Sequence, residues 1–294
     1  MTNHRIIARL DIKGPNLVKG IHLEGLRVLG KPEEFARYYY ENGADELIYM
    51  DVVASLYNRN SLLDIISRTA KDIFIPLTVG GGLRTVEDMQ EVLNAGADKV
   101  VINTAAVKRP GIIQEASRKF GSSTIVVAIE AILQNDGMYV CYTDNGRNHT
   151  GLEVLAWARQ AEALGAGEIM VTAVDKEGTG QGFDIALIEM VANGVSVPVI
   201  AHGGAGKKEH IFEAVSMGKA DAVAIASLFH YEFIKTNRYL SDYEKSGNTE
   251  FLKSGRTFSK IDSLNPQETK RYLIAKGIHC RHDKRAGSPN GATR

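Results

Sequence analysis

The chain has 294 residues, of which 44% are hydrophobic and 24% charged, an ordinary globular composition long enough to bury one large core or two small ones. Its 35 Lys and Arg balance its 35 Asp and Glu, so no global field advertises a nucleic acid or an anionic membrane, and any anion binding must be local. No apolar run approaches the roughly 18 residues of a membrane span, and the N-terminal MTNHRIIARLD lacks a secretory apolar region; a cytoplasmic protein is expected. Cys141 and Cys280 have neither metal-ligand nor redox-motif spacing and read as free thiols. No metal or cofactor is expected.

In chain order, short β-branched runs alternate with helix-length amphipathic stretches. RIIARLD (5–11), ELIYMD (46–51), FIPLTV (74–79), KVVIN (99–103), TIVVAIE (124–130), EIMVTAV (168–174), VPVIA (197–201) and AVAIA (222–226) read as buried parallel strands. Between them PEEFARYYYENG (32–43), SLLDIISRTA (61–70), TVEDMQEVLNAG (85–96), LEVLAWARQAEALG (152–165) and KKEHIFEAVSMG (207–218) have helical period. Eight such units predict an α/β fold of the (β/α)8 TIM barrel type, with a doubly wound sheet as the alternative.

An internal repeat favours the barrel. IPLTVGGGLRTVEDMQEVLNAGAD, from Ile75, aligns with VPVIAHGGAGKKEHIFEAVSMGKAD, from Val197: Pro76 falls on Pro198, Gly81 and Gly82 on Gly203 and Gly204, and Gly96 on Gly218, at a shift of 122 residues. Two half-barrels of four strands each close into a ring with a pseudo-twofold axis, whereas an open sheet leaves the halves inequivalent.

Each double glycine ends a strand and opens a helix, where backbone N–H groups and the helix dipole attract an anion. Gly is also simply a turn residue. Two copies related by the barrel axis nevertheless predict a ligand with a phosphate at each end, lying across the barrel mouth. Asn103-Thr104 and Ala226-Ser227, at the ends of the fourth and eighth strands, flank the same two sites. Asp11 and Glu130 end the first and fifth strands, on opposite walls between those sites, as general acid–base work requires. The alternative reading is two solvated strand-end acids. Asp51 and Asp175 are weaker strand-end candidates, Gly178 follows Asp175 in the same loop, and Lys19, in the glycine-flanked VKGIHLEG, is a candidate mobile cation over the ligand.

The blocks RIIARLDIKG, DELIYMDVVAS, TVGGG, ADKVVINTAAV, FGSSTIVVAIEA, GAGEIMVTAVDKEGT and IAHGGAGKKEH through ASLFH together resemble the cyclase subunit of imidazole glycerol phosphate synthase over residues 5 to 234, with a last helix near 266–279. The resemblance implies a barrel that takes a bis-phosphorylated ribulosyl aminoimidazole-carboxamide ribotide, adds ammonia, closes an imidazole ring and releases aminoimidazole carboxamide ribotide. It also implies a glutaminase partner on the opposite face. Arg5, Glu46, Lys99 and Glu168 match that family's ammonia gate, and Asp98 matches a position facing the glutaminase. A salt-bridged plug at the barrel floor is the alternative role for the four.

The chain departs from the family where it carries Glu130 and Glu177 in place of Asp. One extra methylene moves a carboxyl by roughly 1.3 Å, and a misplacement of about 1 Å can cost on the order of 100-fold in rate. His202 stands before GGAG where the family has a small residue. These departures keep two alternatives open: a paralogue supplying ammonia for amidino-group formation on a surface-polysaccharide sugar, and a non-catalytic barrel partner of a glutaminase. One barrel domain is expected over 1–282, with a polar insertion at 235–264 and a disordered basic tail at 283–294.

Overall fold

The computed structural model describes residues 3–21, 24–53, 62–237 and 261–281. Among these residues twelve strands lie in one sheet, in chain order β1 (Arg5–Lys13), β2 (Asn16–Ile21), β3 (Glu24–Gly30), β4 (Glu46–Asp51), β5 (Leu77–Gly80), β6 (Lys99–Ile102), β7 (Ile125–Leu133), β8 (Tyr139–Thr143), β9 (Asn148–Glu153), β10 (Glu168–Ala173), β11 (Val199–His202) and β12 (Ala222–Ile225). Strands β1, β4, β5, β6, β7, β10, β11 and β12 pair in parallel in that circular order, and β12 returns to β1, so the sheet closes. This is the predicted (β/α)8 barrel, with helices on its outer face.

The eight barrel strands coincide with the eight β-branched runs. β5 and β11 start later than the runs suggest, each just after a proline, Pro76 or Pro198, which has no N–H to give to a ladder. Their carbonyls still pair, accepting from Leu47 and Ile169. The half-barrel repeat is exact in places: β4 and β10, β5 and β11, and the helices Val86–Asn94 and Lys208–Ser216 are each offset by 122 residues.

Two hairpins were not anticipated. β2–β3 and β8–β9 continue antiparallel from the ends of β1 and β7, equivalent positions in the two halves. Their apolar residues alternate too irregularly to stand out: NLVKGI overlaps the glycine-flanked stretch around Lys19, and YVCYT is a run of only five residues. The hairpins matter because they rise at the mouth of the barrel.

Alternation sorts β1 into two faces. Ile6, Ala8, Leu10 and Ile12 join the large core beneath the helices. Ile7 points into the barrel, where it packs with Ile48, Val101, Val126, Met170, Ile200, Ala222 and Ala224. Arg5, Arg9 and Asp11 share Ile7's parity and therefore stack on the inner wall, with Arg5 below the apolar layer and Arg9 and Asp11 above it.

The helix Pro266–Ala275 opens with a reciprocal cap between Asn265 and Glu268. Beneath it Lys270 Nζ lies 2.6 Å from Asp45 Oδ1, with both side chains buried. Of the expected insertion at 235–264, residues 238–260 lie outside the described residues, as does the tail at 283–294. No helix among the described residues is long and apolar enough to cross a membrane.

Candidate active site

At the N-terminal end of the barrel four side chains close a ring. Arg5 Nη1 lies 2.6 Å from Glu46 and Arg5 Nη2 2.7 Å from Glu168; Lys99 Nζ lies 3.2 Å from Glu46 and 2.5 Å from Glu168. Each residue begins its strand, β1, β4, β6 or β10, so the ring spans the floor. Burial opposes the charge on Glu168, but hydrogen bonds from Arg5 and Lys99 outweigh it and hold the carboxyl below its ordinary value. Burial likewise opposes the Arg5 charge, and the two glutamates overcome it.

Asp98, next to Lys99, is exposed, and its Oδ2 accepts the Leu77 N–H at 2.8 Å. Asp45 and Asp221 do the same for Ile6 and Val199. Asp98 therefore has a structural task, tying adjacent strand starts, whatever else it contacts.

At the opposite end Asp11 is 4% exposed, and its Oδ1 accepts from Arg9 Nε at 2.9 Å. Arg9 Nη1 reaches His202 Nδ1 at 3.1 Å, and Thr172 Oγ1 lies 3.1 Å from the same nitrogen. Across the mouth Glu130 Oε2 accepts from Gly146 N–H at 2.7 Å. Burial pushes the Glu130 carboxyl up to about 7, against the pull of the Gly146 N–H, Arg9 and Asn103. A carboxyl that titrates near neutrality is suited to give and take a proton.

The two glycine-rich turns keep their symmetry in backbone but not in the space they enclose. Gly81, Gly82, Gly203 and Gly204 all have positive φ, between 72° and 108°. A Cβ on Gly81 would strike the Asp51 carbonyl, and one on Gly203 the Ala173 carbonyl, again equivalent positions. Close packing against the neighbouring strand end thus demands glycine there, independent of any ligand.

The first turn borders a cavity of about 260 Å³ lined by Gly81, Gly82, Asn103, Thr104, Arg9 and Glu130. The second, lined by Gly178, Gly203, Gly204, Ala226, Ser227 and His202, measures about 20 Å³, room for about one water. The loop after β10 covers it, with Gly182 N–H donating to the Gly204 carbonyl at 2.8 Å.

The helix N-termini also differ from expectation. The helix Val86–Asn94 after the first turn carries its own capping box, which takes the N–H groups of Thr85 and Asp88. The helix Ser227–Thr236 has no side-chain cap and opens at the second cavity.

Lys19 is not a mobile loop cation. It lies in β2, 5% exposed, with Nζ 2.5 Å from Glu177 Oε1; the β1–β2 hairpin carries it inward. Asp175 is exposed and borders neither cavity. Arg9 was missed, although its parity with Arg5 and Asp11 was legible. Arg84, Lys108 and Arg109, which line the first cavity, were missed too; charged residues just after strand ends were the available signal. Among the described residues no group of three or more His, Cys, Asp or Glu is placed to hold a metal ion.

A (β/α)8 barrel with a charged ring at its floor and opposed carboxylates at its mouth defines an enzyme of the barrel class whose chemistry sits at the strand C-termini. The family described as "Histidine biosynthesis protein" matches residues 5–235. The imidazole glycerol phosphate synthase subunit HisF of Legionella pneumophila is 58% identical over 209 residues, 71% of this chain and 99% of that relative. The chain belongs to this histidine-biosynthesis family, as a cyclase subunit of the imidazole glycerol phosphate synthase type.

Proposed function

We propose that the barrel takes ammonia through its floor from a glutaminase subunit and uses it at the mouth to convert a bis-phosphorylated ribulosyl aminoimidazole-carboxamide ribotide into imidazole glycerol phosphate and aminoimidazole carboxamide ribotide. The observation that carries this reading is axial. The Arg5–Glu46–Lys99–Glu168 ring, the apolar layer of Ile7, Val101 and Met170, and the Arg9, Asp11 and Glu130 groups succeed one another from floor to mouth.

Asp11 and Glu130 divide the proton work. Asp11, bonded to Arg9, accepts a proton from the attacking nitrogen, and Glu130, half protonated near neutral pH, supplies one to the departing group. Gly81, Gly82, Asn103 and Thr104 bind one phosphate, with Arg84, Lys108 and Arg109 adding positive charge. Gly178, Gly203, Gly204, Ala226 and Ser227 bind the other once the second cavity opens, and Lys19 acts there through its ion pair with Glu177, which lines that cavity. Asp98, Lys99 and their neighbours face the glutaminase.

One observation favours the alternative of an ammonia-channelling paralogue with another acceptor: a cavity of about 20 Å³ does not hold a phosphate as it stands. Turnover of the ribotide by the purified protein with saturating ammonium salt, and no partner, separates the two. A rate of about 1 s⁻¹ or somewhat below establishes the cyclase; tight binding without turnover, or no binding, shifts the assignment to the paralogue.

A further inference from the structure

His202 has two ring nitrogens with different circumstances. Nδ1 faces two hydrogen-bond donors, the Arg9 guanidinium and the Thr172 hydroxyl. An arginine cannot accept a hydrogen bond, so Nδ1 must be the acceptor and carries no proton. The ring's proton then sits on Nε2. Among the described residues both hydrogen bonds of the ring run to Nδ1. The side chain is 4% exposed and lines the second glycine-rich cavity, beside the uncapped N-terminus at Ser227.

We propose that Arg9 is a positioning residue that locks His202 as its Nε2–H tautomer, and that this N–H is a specificity-determining donor to an anionic, phosphate-class oxygen of the ligand in the second cavity. The inference deepens the reading of that cavity under the proposed function and rests on it. Arg9 holds Asp11 through Nε and His202 through Nη1, so one guanidinium sets both the proton acceptor and the distal anchor. Filling the cavity requires the loop cover to part, and the fixed imidazole is in place before it does.

The two isosteric variants oppose a binding role to a packing role. Glutamine places its amide near Nε2; asparagine places its carbonyl near Nδ1 and keeps the Arg9 contact only. If His202 binds ligand, His202→Gln keeps KM for the ribotide within about threefold, and His202→Asn raises it about tenfold or more with kcat little changed, the size expected for a hydrogen bond to a charged group. The reverse ranking, or an equal KM in both variants, overturns the proposal. Arg9→Lys is expected to restore the KM lost in Arg9→Met at least in part.

A second readout needs no turnover. In the ¹⁵N-histidine-labelled wild-type protein, inorganic phosphate should shift the His202 Nε2–H resonance, with Nδ1 unprotonated throughout. A phosphate-sensitive Nε2–H in a protein that does not turn over the ribotide removes the cyclase substrate and keeps the anion donor. Turnover with a phosphate-insensitive Nε2, or a proton found on Nδ1, overturns the donor and keeps the cyclase.

Discussion

Glu130 Oε2 accepts a 2.7 Å hydrogen bond from the backbone N–H of Gly146, a residue of the β8–β9 turn. Gly146 has a φ of 73°, and a Cβ there would meet Val174 Cγ1 at 2.7 Å. The hairpin that the sequence hid is therefore what orients the carboxylate that the sequence showed.

Glu130→Gln removes the titrating group and keeps the shape. Glu130 in the native protein is pushed up to about 7 from an ordinary 4.5, so between those values the native state holds a proton that the unfolded chain has released. Stability then falls as pH rises across that window, because the unfolded state binds fewer protons. The expected outcome is a wild-type thermal midpoint that declines from pH 4.5 to 7 relative to that of Glu130→Gln. Parallel midpoints would show an ordinary carboxyl.

The proposed acid role of Glu130 predicts a limb in the rate profile. With turnover expressed per free ammonia, wild-type kcat should fall as pH rises above about 7, where Glu130 loses its proton. Glu130→Gln should lose roughly 100-fold or more and with it that limb. A retained limb in the variant would assign it to another group.

Gly146→Ala tests the hairpin's part. Left-handed backbone and the Val174 contact both oppose a side chain, so a loss of about 1 kcal/mol or more is expected in denaturant unfolding. Part of the Glu130 alignment should go with it, read as a lower kcat at unchanged gate behaviour. A variant equal to wild type in both would show that the turn adapts freely.

Lys99→Ala opens the floor ring at its two contacts, with Glu46 and Glu168. Glutamine-dependent turnover with the glutaminase should change severalfold, whereas turnover on added ammonium should stay near wild type. Equal loss with both nitrogen sources would make the ring a structural plug. The buried Lys270–Asp45 pair lies outside this path. Lys270→Met should cost about 3 kcal/mol, the scale of a buried charge left without its partner, with no effect on the choice of nitrogen source; Arg281, 3.0 Å from Asp45, offsets part of it.

The barrel was legible because parallel strands buried on both faces are written as β-branched runs, and because the 122-residue repeat survives in residues that the backbone itself constrains, such as Gly81 and Gly203. The floor ring was legible through Arg5 and Lys99 at strand starts, by resemblance. What stayed hidden is set by tertiary contact. Nothing local announces that Lys19 will fold under a hairpin onto Glu177, or that the loop after β10 will narrow one of two equivalent turns to a fraction of the other. Arg9 differs: its parity with Arg5 and Asp11 is legible within RIIARLD, but its task shows only once Asp11 and His202 are brought to it.

The proposed part of the mouth carboxylates in ammonia-dependent ring closure is tested by single-turnover conversion of the ribotide by Asp11→Asn at saturating ammonium, beside the thermal midpoint of the same sample. A loss of roughly 100-fold or more is expected in a protein that remains folded. Wild-type conversion by folded Asp11→Asn would remove Asp11 from the chemistry.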